Sequence, residues 1–182
     1  MSRPDIETLS TRIVYENRWM RVREDAVRFR DGSPGIYGVV EKVDFAVVAP
    51  LDSDGRLHLV EQYRYPIGRR AWEFPQGAWE DKPGADPLAL ARGELREETG
   101  LDAGEIVHVG FLHQAYGYAT QGYNIYVARD LRRAEAARET SEQDLVTRAF
   151  PVAEVLDMVT NGAITDADTV ATLGLLKLKG LL

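Results

Sequence analysis

Apolar and polar residues alternate in short runs through the first half of the chain, the pattern of half-buried β-strands. Turn residues separate the runs, most clearly Asp52-Ser53-Asp54-Gly55, which lies between two apolar stretches and predicts a hairpin. Residues 76–85 are rich in glycine, proline and charge, so we expect a loop there. The stretches predicted as strands are 11–15, 20–29, 36–43, 45–51, 56–63 and 72–74.

The spacing of the apolar residues changes after residue 85. From Leu88 onward they recur at intervals of three and four, which indicates one face of a helix. Asp86 is a favourable N-cap, Pro87 suits the first helical position, and Gly100 supplies a stop. The sequence therefore predicts a helix over 87–99.

Strands and helices both follow in the rest of the chain. The predicted strands are 105–111, 122–128 and 145–150, the predicted loop is the acidic stretch 134–144, and the predicted helices are 151–160 and 168–179. A chain that begins with strands and ends with few helices indicates an α+β protein built on a mixed sheet.

The amino-acid composition excludes several classes of protein and of functional site. The 182 residues suffice for one domain with a modest extension, and the absence of cysteine excludes disulfides, thiolate metal sites and cysteine nucleophiles. A net charge of −7 argues against a nucleic-acid partner. The apolar runs are too short to span a membrane, and the first ten residues lack an apolar signal core, so we expect a cytoplasmic protein.

Three carboxylates share one face of the predicted helix. Glu94, Glu97 and Glu98 fall within about a third of a turn. Like charges about 5 Å apart repel by roughly 3 kcal/mol per pair at an effective dielectric near 20. A divalent cation removes this conflict, and Mg²⁺ or Mn²⁺ prefers such oxygens. The alternative interpretation is a solvated acidic face, which is common on surface helices.

The surroundings of these glutamates favour the metal interpretation. Residues 72–77 read Trp-Glu-Phe-Pro-Gln-Gly, and residues 94–101 read Glu-Leu-Arg-Glu-Glu-Thr-Gly-Leu. Together they resemble the signature of the Nudix hydrolases. The resemblance implies a Nudix fold, with a mixed sheet sandwiched by helices, and hydrolysis of nucleoside diphosphates linked to another group. It also implies that Glu94, Glu97 and Glu98 bind the divalent metal.

The signature departs from the family pattern at three points. The loop after Gly77 is two residues too long, Ala85 occupies the position of a glutamate, and Gly93 occupies the position of an arginine. In the family that arginine helps to orient the carboxylates. The departures leave all three metal-binding glutamates in place but affect their orientation.

Residues 60–65, 72–75 and 162–166 look like the ADP-ribose pyrophosphatase branch. This likeness implies an N-terminal β region at 1–43 that forms a homodimer and a Nudix domain at 44–182. It implies conversion of ADP-ribose to AMP and ribose 5-phosphate. Two alternatives stay open: another substrate, such as GDP-mannose, another sugar nucleotide or a dinucleoside polyphosphate, and a weakly active ligand-binding module.

The branch resemblance suggests a substrate site. Arg64 is our candidate phosphate contact, because its planar donors suit a diphosphate. Glu73 would hold that arginine or the substrate, and Trp19 or Tyr15 would stack on adenine. Gln76 stands where the branch uses a backbone carbonyl as a metal ligand.

Enzymes of the branch also take a catalytic glutamate from a loop late in the chain. Glu142 is the first candidate and Glu139 the second, both in the acidic stretch. A carboxylate there would orient or deprotonate a water polarised by the metal, beside Glu98 on the helix.

Overall fold

The computed structural model describes residues 5–82, 84–134 and 144–182. Within those ranges no helix is long and apolar enough to cross a membrane. The strands are β1 (Ile6–Glu16), β2 (Arg21–Phe29), β3 (Pro34–Glu41), β4 (Phe45–Pro50), β5 (Arg56–Arg64), β6 (Arg69–Glu73), β7 (Gln76–Gly77), β8 (Leu101–His113), β9 (Gly122–Arg133) and β10 (Val146–Pro151). The α-helices are α1 (Pro87–Thr99), α2 (Val152–Thr160) and α3 (Ala167–Leu178).

The strands are divided among three sheets. Their orders are β1-β2-β3, β10-β5-β6 and β7-β4-β9-β8. The third sheet is mixed, because β4 runs parallel to β9 while its other neighbour, β7, is antiparallel to it. The predicted α+β class is confirmed.

Strand β4 lies at the centre of the fold and is buried along its whole length. Side chains of successive strand residues point to opposite faces. Phe45, Val47 and Ala49 join an apolar cluster that includes residues of α2 and α3. Ala46 and Val48 join a second cluster built around α1. The helices therefore sandwich the mixed sheet.

Helix α1 has the predicted bounds. The Asp86 side chain accepts a hydrogen bond from the Leu88 backbone N–H at 3.2 Å, and Pro87 follows at the first helical position. Gly100 ends the helix with φ of +67°, and its N–H donates to the Arg96 carbonyl oxygen at 3.0 Å. Because these signals lie at the helix ends, the local sequence was enough to predict both ends.

The structure corrects the predicted loop over 76–85. Gln76–Gly77 forms β7, which pairs with Val47 and Ala46 of β4. This pairing joins residues about thirty positions apart, so the local composition of the loop did not indicate it. Strands β6, β8 and β9 are also longer than predicted. The predicted loop 134–144 falls largely on residues 135–143, which lie outside the described part of the chain.

The N-terminal sheet, β1-β2-β3, stands beside the other two. Val40 of β3 donates to the Tyr118 carbonyl oxygen at 2.8 Å and accepts from the Thr120 N–H at 2.9 Å. Many of the large apolar side chains of this sheet are exposed, including Ile6, Leu9, Ile13, Val14, Tyr15 and Ile36. A region this apolar and this exposed is typical of a surface that contacts another chain.

Candidate active site

A cavity of about 510 Å³ opens between β5, β6, β7 and the start of α3. Its walls carry both signs of charge. Charged and amide side chains line it, among them Lys42, Arg64, Glu73, Gln76, Glu80, Gln114, Asp166 and Asp168. A concave site with a few converging polar groups is the usual form of a small-molecule site.

Arg64 and Glu73 form a two-bond ion pair on one wall of the cavity. Arg64 Nε lies 3.0 Å from Glu73 Oε2, and Nη2 lies 2.6 Å from Oε1. The Gln62 amide also donates to Oε1 at 2.7 Å. Glu73 is almost completely buried, whereas the Arg64 side chain is 39% exposed. Glu73 thus fixes the guanidinium with part of it still accessible from the cavity.

The charges around this pair affect one another. Burial raises the pKa of Glu73 above its usual range, although the charge and hydrogen bonds of Arg64 pull it down. Burial lowers the pKa of Arg64, but Glu73, Glu98 and Asp166 raise it overall. Arg64 therefore stays a cation, in the electrostatic reach of the glutamate helix.

On the next wall, β7 contacts two glutamates of α1. The Gln76 N–H donates to Glu98 Oε2 at 3.0 Å. Gly77 faces Glu94 so closely that a Cβ at position 77 would lie 2.7 Å from Glu94 Cδ and 2.8 Å from Oε1. An added Cβ here would force the Glu94 carboxylate or β7 to shift. Both carboxylates are buried and lie beside the backbone that lines the cavity.

Glu97 is half-buried on the same helix. In the described ranges, no three aspartate, glutamate, histidine or cysteine side chains form a group that could hold a metal ion by themselves. The donor set nevertheless suits a hard cation, because carboxylate oxygens would supply part of the coordination and water or phosphate oxygens the rest. A divalent metal therefore fits Glu94, Glu97 and Glu98 as a partial ligand set.

The first turn of α3 adds acidic groups that the sequence analysis missed. Asp166 caps the helix, accepting from the Thr169 N–H at 2.8 Å, and lies 3.4 Å from the Gln76 amide nitrogen. Asp168 accepts from the Gln114 amide at 2.7 Å, and burial raises its pKa. The sequence signal was the Asp-Ala-Asp string at 166–168, whose partners lie far away along the chain.

Trp19 lies in the turn between β1 and β2. It is exposed, and the Arg18 guanidinium carbon lies 4.7 Å from its ring centroid. Both residues line a second cavity of about 360 Å³. Lys42 and Glu80 line both cavities, so the two are neighbours. The structure thus places Trp19 next to the main cavity.

The candidate catalytic residues Glu139 and Glu142 lie outside the described residues. The described chain resumes at Asp144, which is held by Arg70. Arg70 Nη1 donates to Asp144 Oδ2 at 2.6 Å, and its Nη2 donates to the Asp144 carbonyl oxygen at 2.9 Å. Thr147 then donates to the Glu98 carbonyl oxygen at 3.2 Å. These bonds attach the start of β10 to β6 and to the end of α1.

Comparison with known proteins decides the family. Residues 40–173 match the model of the NUDIX domain, which is most of the chain. The chain belongs to the Nudix family. Residues 6–40 match the model described as the nucleoside diphosphate sugar hydrolase N-terminal domain. The protein is therefore a Nudix pyrophosphatase, a hydrolase, as the motif resemblance predicted.

Two relatives and one solved structure illustrate the likeness. The chain is 33% identical to an ADP-ribose pyrophosphatase of Mycobacterium tuberculosis (strain ATCC 25618 / H37Rv), over 94% of this chain and 83% of that one. It is 27% identical to a methanol dehydrogenase activator of Bacillus methanolicus, over 95% and 93%. A crystal structure of an ADP compounds hydrolase matches with a TM-score of 0.85 at 24% identity, covering 100% of this chain and 98% of that one. That match confirms the Nudix fold.

Proposed function

We propose that this Nudix hydrolase cleaves ADP-ribose to AMP and ribose 5-phosphate. The observation that carries the proposal is the double role of β7. Gln76 and Gly77 contact Glu98 and Glu94 of the metal helix, and they line the cavity that Arg64 also lines. A diphosphate placed in this cavity would meet the Arg64 guanidinium on one side and, on another, the β7 backbone that contacts the carboxylate helix.

Nudix hydrolases depend on a divalent metal, and our candidate ion is Mg²⁺, with Mn²⁺ as a substitute. Glu94, Glu97 and Glu98 would hold it, and the Gln76 backbone carbonyl is a further candidate ligand. When bound, such an ion neutralises charge on the phosphoryl oxygens and lowers the pKa of water. The buried positions of Glu94 and Glu98 support this role, because the attraction between a carboxylate and a cation is stronger where water is excluded.

The remaining steps use side chains of the chain itself. Arg64 would bind the diphosphate through donors not used by Glu73, and Glu73 would hold Arg64 in that orientation. Glu142, or Glu139 as second candidate, would orient the attacking water and accept its proton. Trp19, next to the cavity and exposed, would stack on the adenine ring.

The proposal includes a homodimer formed through the N-terminal sheet and a cytoplasmic location. The exposed apolar side chains of β1 and β3 support the dimer, because a monomer would leave them in water. The absence of cysteine is consistent with a reducing compartment. We propose a sugar nucleotide as partner, with neither nucleic acid nor membrane involved.

The test is turnover of ADP-ribose by the purified protein, with AMP and ribose 5-phosphate separated by chromatography. GDP-mannose, UDP-glucose and diadenosine polyphosphates are measured beside it, with and without Mg²⁺ or Mn²⁺. We expect metal-dependent cleavage that is fastest on ADP-ribose. Faster cleavage of another member would overturn the choice of substrate but keep the reaction type.

Two variants test the role of the helix. Glu98→Gln removes the charge of one buried carboxylate while keeping the size of the side chain. We expect the rate of ADP-ribose hydrolysis to fall at least about a hundredfold. Glu105→Gln makes the same change at an exposed position of β8 and serves as the control. Equal rates in the two variants, or no turnover by the wild-type protein with any metal, would overturn the proposed hydrolase function.

A further inference from the structure

Gly93 lies inside α1, one residue before Glu94. The Trp79 ring occupies the space where a side chain at position 93 would lie. A Cβ at position 93 would lie 3.2 Å from Trp79 Cη2, 3.4 Å from Cε2 and nearer still to Cζ2. The edge of the Trp79 indole therefore occupies the space where any other residue would place its side chain. Glycine is disfavoured in helix interiors, so this position is specialised for contact with the ring.

Trp79 is held on both sides. The Lys82 ammonium lies 4.2 Å from the ring centroid, close enough for a cation–π interaction. The indole also packs against the apolar cluster that contains Leu90, Ala91 and Leu95 of α1. The Lys82 N–H donates to the Trp79 carbonyl oxygen at 3.1 Å, which closes a turn around the ring. The ring thus packs between the loop and the helix.

The loop and the helix meet at a second point nearby. Trp79 follows Gly77 by two residues, and Gly93 precedes Glu94 by one. Gly77 of β7 faces the Glu94 carboxylate, so two residues that lie close together in the chain contact the same turn of α1. Trp79 and Gly77 therefore both approach the helical turn that carries Glu94.

The neighbouring arginines of the helix serve other partners or face solvent. Arg92 pairs with Asp102 and donates to the Ala103 carbonyl oxygen at 2.9 Å. Arg96 is exposed. The feature that packs directly against position 93, next to Glu94, is the Trp79 ring.

We propose that Trp79 is a positioning residue whose contact with Gly93 sets the orientation of the metal-binding glutamates. The proposal rests on the proposed hydrolase function, because it concerns the metal site of that reaction. Trp79 would do by shape what an arginine at position 93 does in the usual family pattern. It would act through Glu94 and would not touch the substrate.

The test compares two helical glycines. Gly93→Ala adds a Cβ against the Trp79 ring, whereas Gly174→Ala adds one on α3 where no atom lies within 4 Å. Mn²⁺ affinity is measured by calorimetry on the purified protein, and Tm is measured by calorimetric melting. We expect Gly93→Ala to weaken Mn²⁺ binding at least tenfold, while Gly174→Ala leaves it within twofold and raises Tm.

A second background separates positioning from folding. In a Trp79→Ala protein the ring is gone, so Gly93→Ala should change Mn²⁺ affinity by less than twofold. Trp79→Phe keeps an aromatic ring near Lys82 but removes the part of the indole that contacts Gly93, and we expect Mn²⁺ affinity to fall a fewfold. This variant tests the contact even if Gly93→Ala folds poorly. A purely structural contact would lower Tm without changing the Mn²⁺ affinity of the folded protein.

Several outcomes would overturn the proposal. Unchanged Mn²⁺ affinity in both Gly93→Ala and Trp79→Phe, beside an active wild type, would defeat the positioning role and leave the hydrolase function intact. A tenfold loss on Gly93→Ala that persists in the Trp79→Ala background would also defeat it. Failure of the wild type to bind Mn²⁺ and to turn over any substrate would remove the proposed function and this inference together.

Discussion

Arg64 and Glu73 are joined by two hydrogen bonds, of 3.0 and 2.6 Å, with the carboxylate buried and the guanidinium reaching into the cavity. The pair spans adjacent strands, since β5 and β6 are hydrogen-bonded neighbours. Such a two-bond pair fixes both the position and the plane of the guanidinium. The hairpin thereby presents a preoriented cation at the cavity wall.

Replacement of Glu73 by glutamine should weaken both stability and substrate binding. The amide keeps the size of the side chain but leaves the Arg64 charge without its counterion. We expect a loss of about 1–3 kcal/mol in the free energy of unfolding, near the lower end because Arg64 is partly exposed. Urea unfolding measures this loss, and steady-state kinetics should show a raised KM for the diphosphate substrate.

Glu61→Gln is the matched control for that prediction. Glu61 accepts from Arg70 Nε at 2.8 Å on the same hairpin, but its carboxylate is more exposed than that of Glu73. We expect a smaller loss of stability than for Glu73→Gln and an unchanged KM, because solvent screens an exposed pair. Similar losses in the two variants would show that the burial of Glu73 has no special importance.

A methyl group at position 77 should displace the Glu94 carboxylate. Gly77→Ala would place its Cβ 2.8 Å from Glu94 Oε1, so either the side chain or β7 must move. We expect the kcat for ADP-ribose to fall at least about tenfold, because this shift misaligns a metal-binding group. Gly38→Ala, on β3 with no atom within 4 Å, is the control. If Gly77→Ala kept the wild-type kcat, the close approach of Gly77 to Glu94 would not be required for activity.

The raised pKa of Asp168 predicts a pH-dependent stability difference. Burial favours the neutral acid in the folded state, so the folded protein holds its proton to higher pH than the unfolded chain. Stability from this group is present below the usual aspartate pKa, near 4, and is lost as pH rises through the raised value. Asp168→Asn removes that loss.

We therefore expect the Tm of Asp168→Asn, relative to wild type, to increase from pH 4 toward pH 7. Melting curves at several pH values measure the difference. Asp157→Asn, the same substitution at an exposed position on α2, is melted beside it as the control. A difference for Asp168→Asn that shrinks as pH rises would mean that the sign is wrong.

A charge on the N-terminal sheet should separate the proposed dimer. Ile36 on β3 is 72% exposed in the single chain, so Ile36→Glu would not harm the fold of one subunit but would bury a charge between two. Light scattering should give twice the chain mass for wild type and the chain mass for the variant. Val107→Glu, at an exposed apolar position on β8, should leave the mass unchanged. A monomeric wild type would refute the dimer.

The sequence predicted the structural features that depend on residues adjacent in the chain. Both ends of α1 were predicted because Asp86, Pro87 and Gly100 lie next to the turns they form. Strand β7 was missed, since its two residues become a strand only by pairing with β4. The acidic end of α3 was missed for a similar reason. Gln76 and Asp166 are 90 positions apart, and local patterns carry no information about such a contact.

The glycine at position 93 shows another kind of limit. By the family pattern it is a defect in the motif, and within the helix it is a residue of poor propensity. Its reason is the Trp79 ring, which comes from a loop fourteen positions earlier. The motif alone showed that Gly93 departs from the family pattern. The contact with Trp79 could be recognised only from the tertiary structure.

The attachment of the N-terminal sheet by hydrogen bonds between Val40 and residues 118–120 has a consequence for the rates of amide exchange. Strands β4 and β9 are largely buried, so their amides should exchange only when the whole domain opens. The large apolar side chains of the N-terminal sheet are exposed in a single chain, so we expect this sheet to open more easily than that core and its amides to exchange sooner. A ligand that bridges Trp19 and Arg64 would couple the two parts, so that binding slows exchange in both at once.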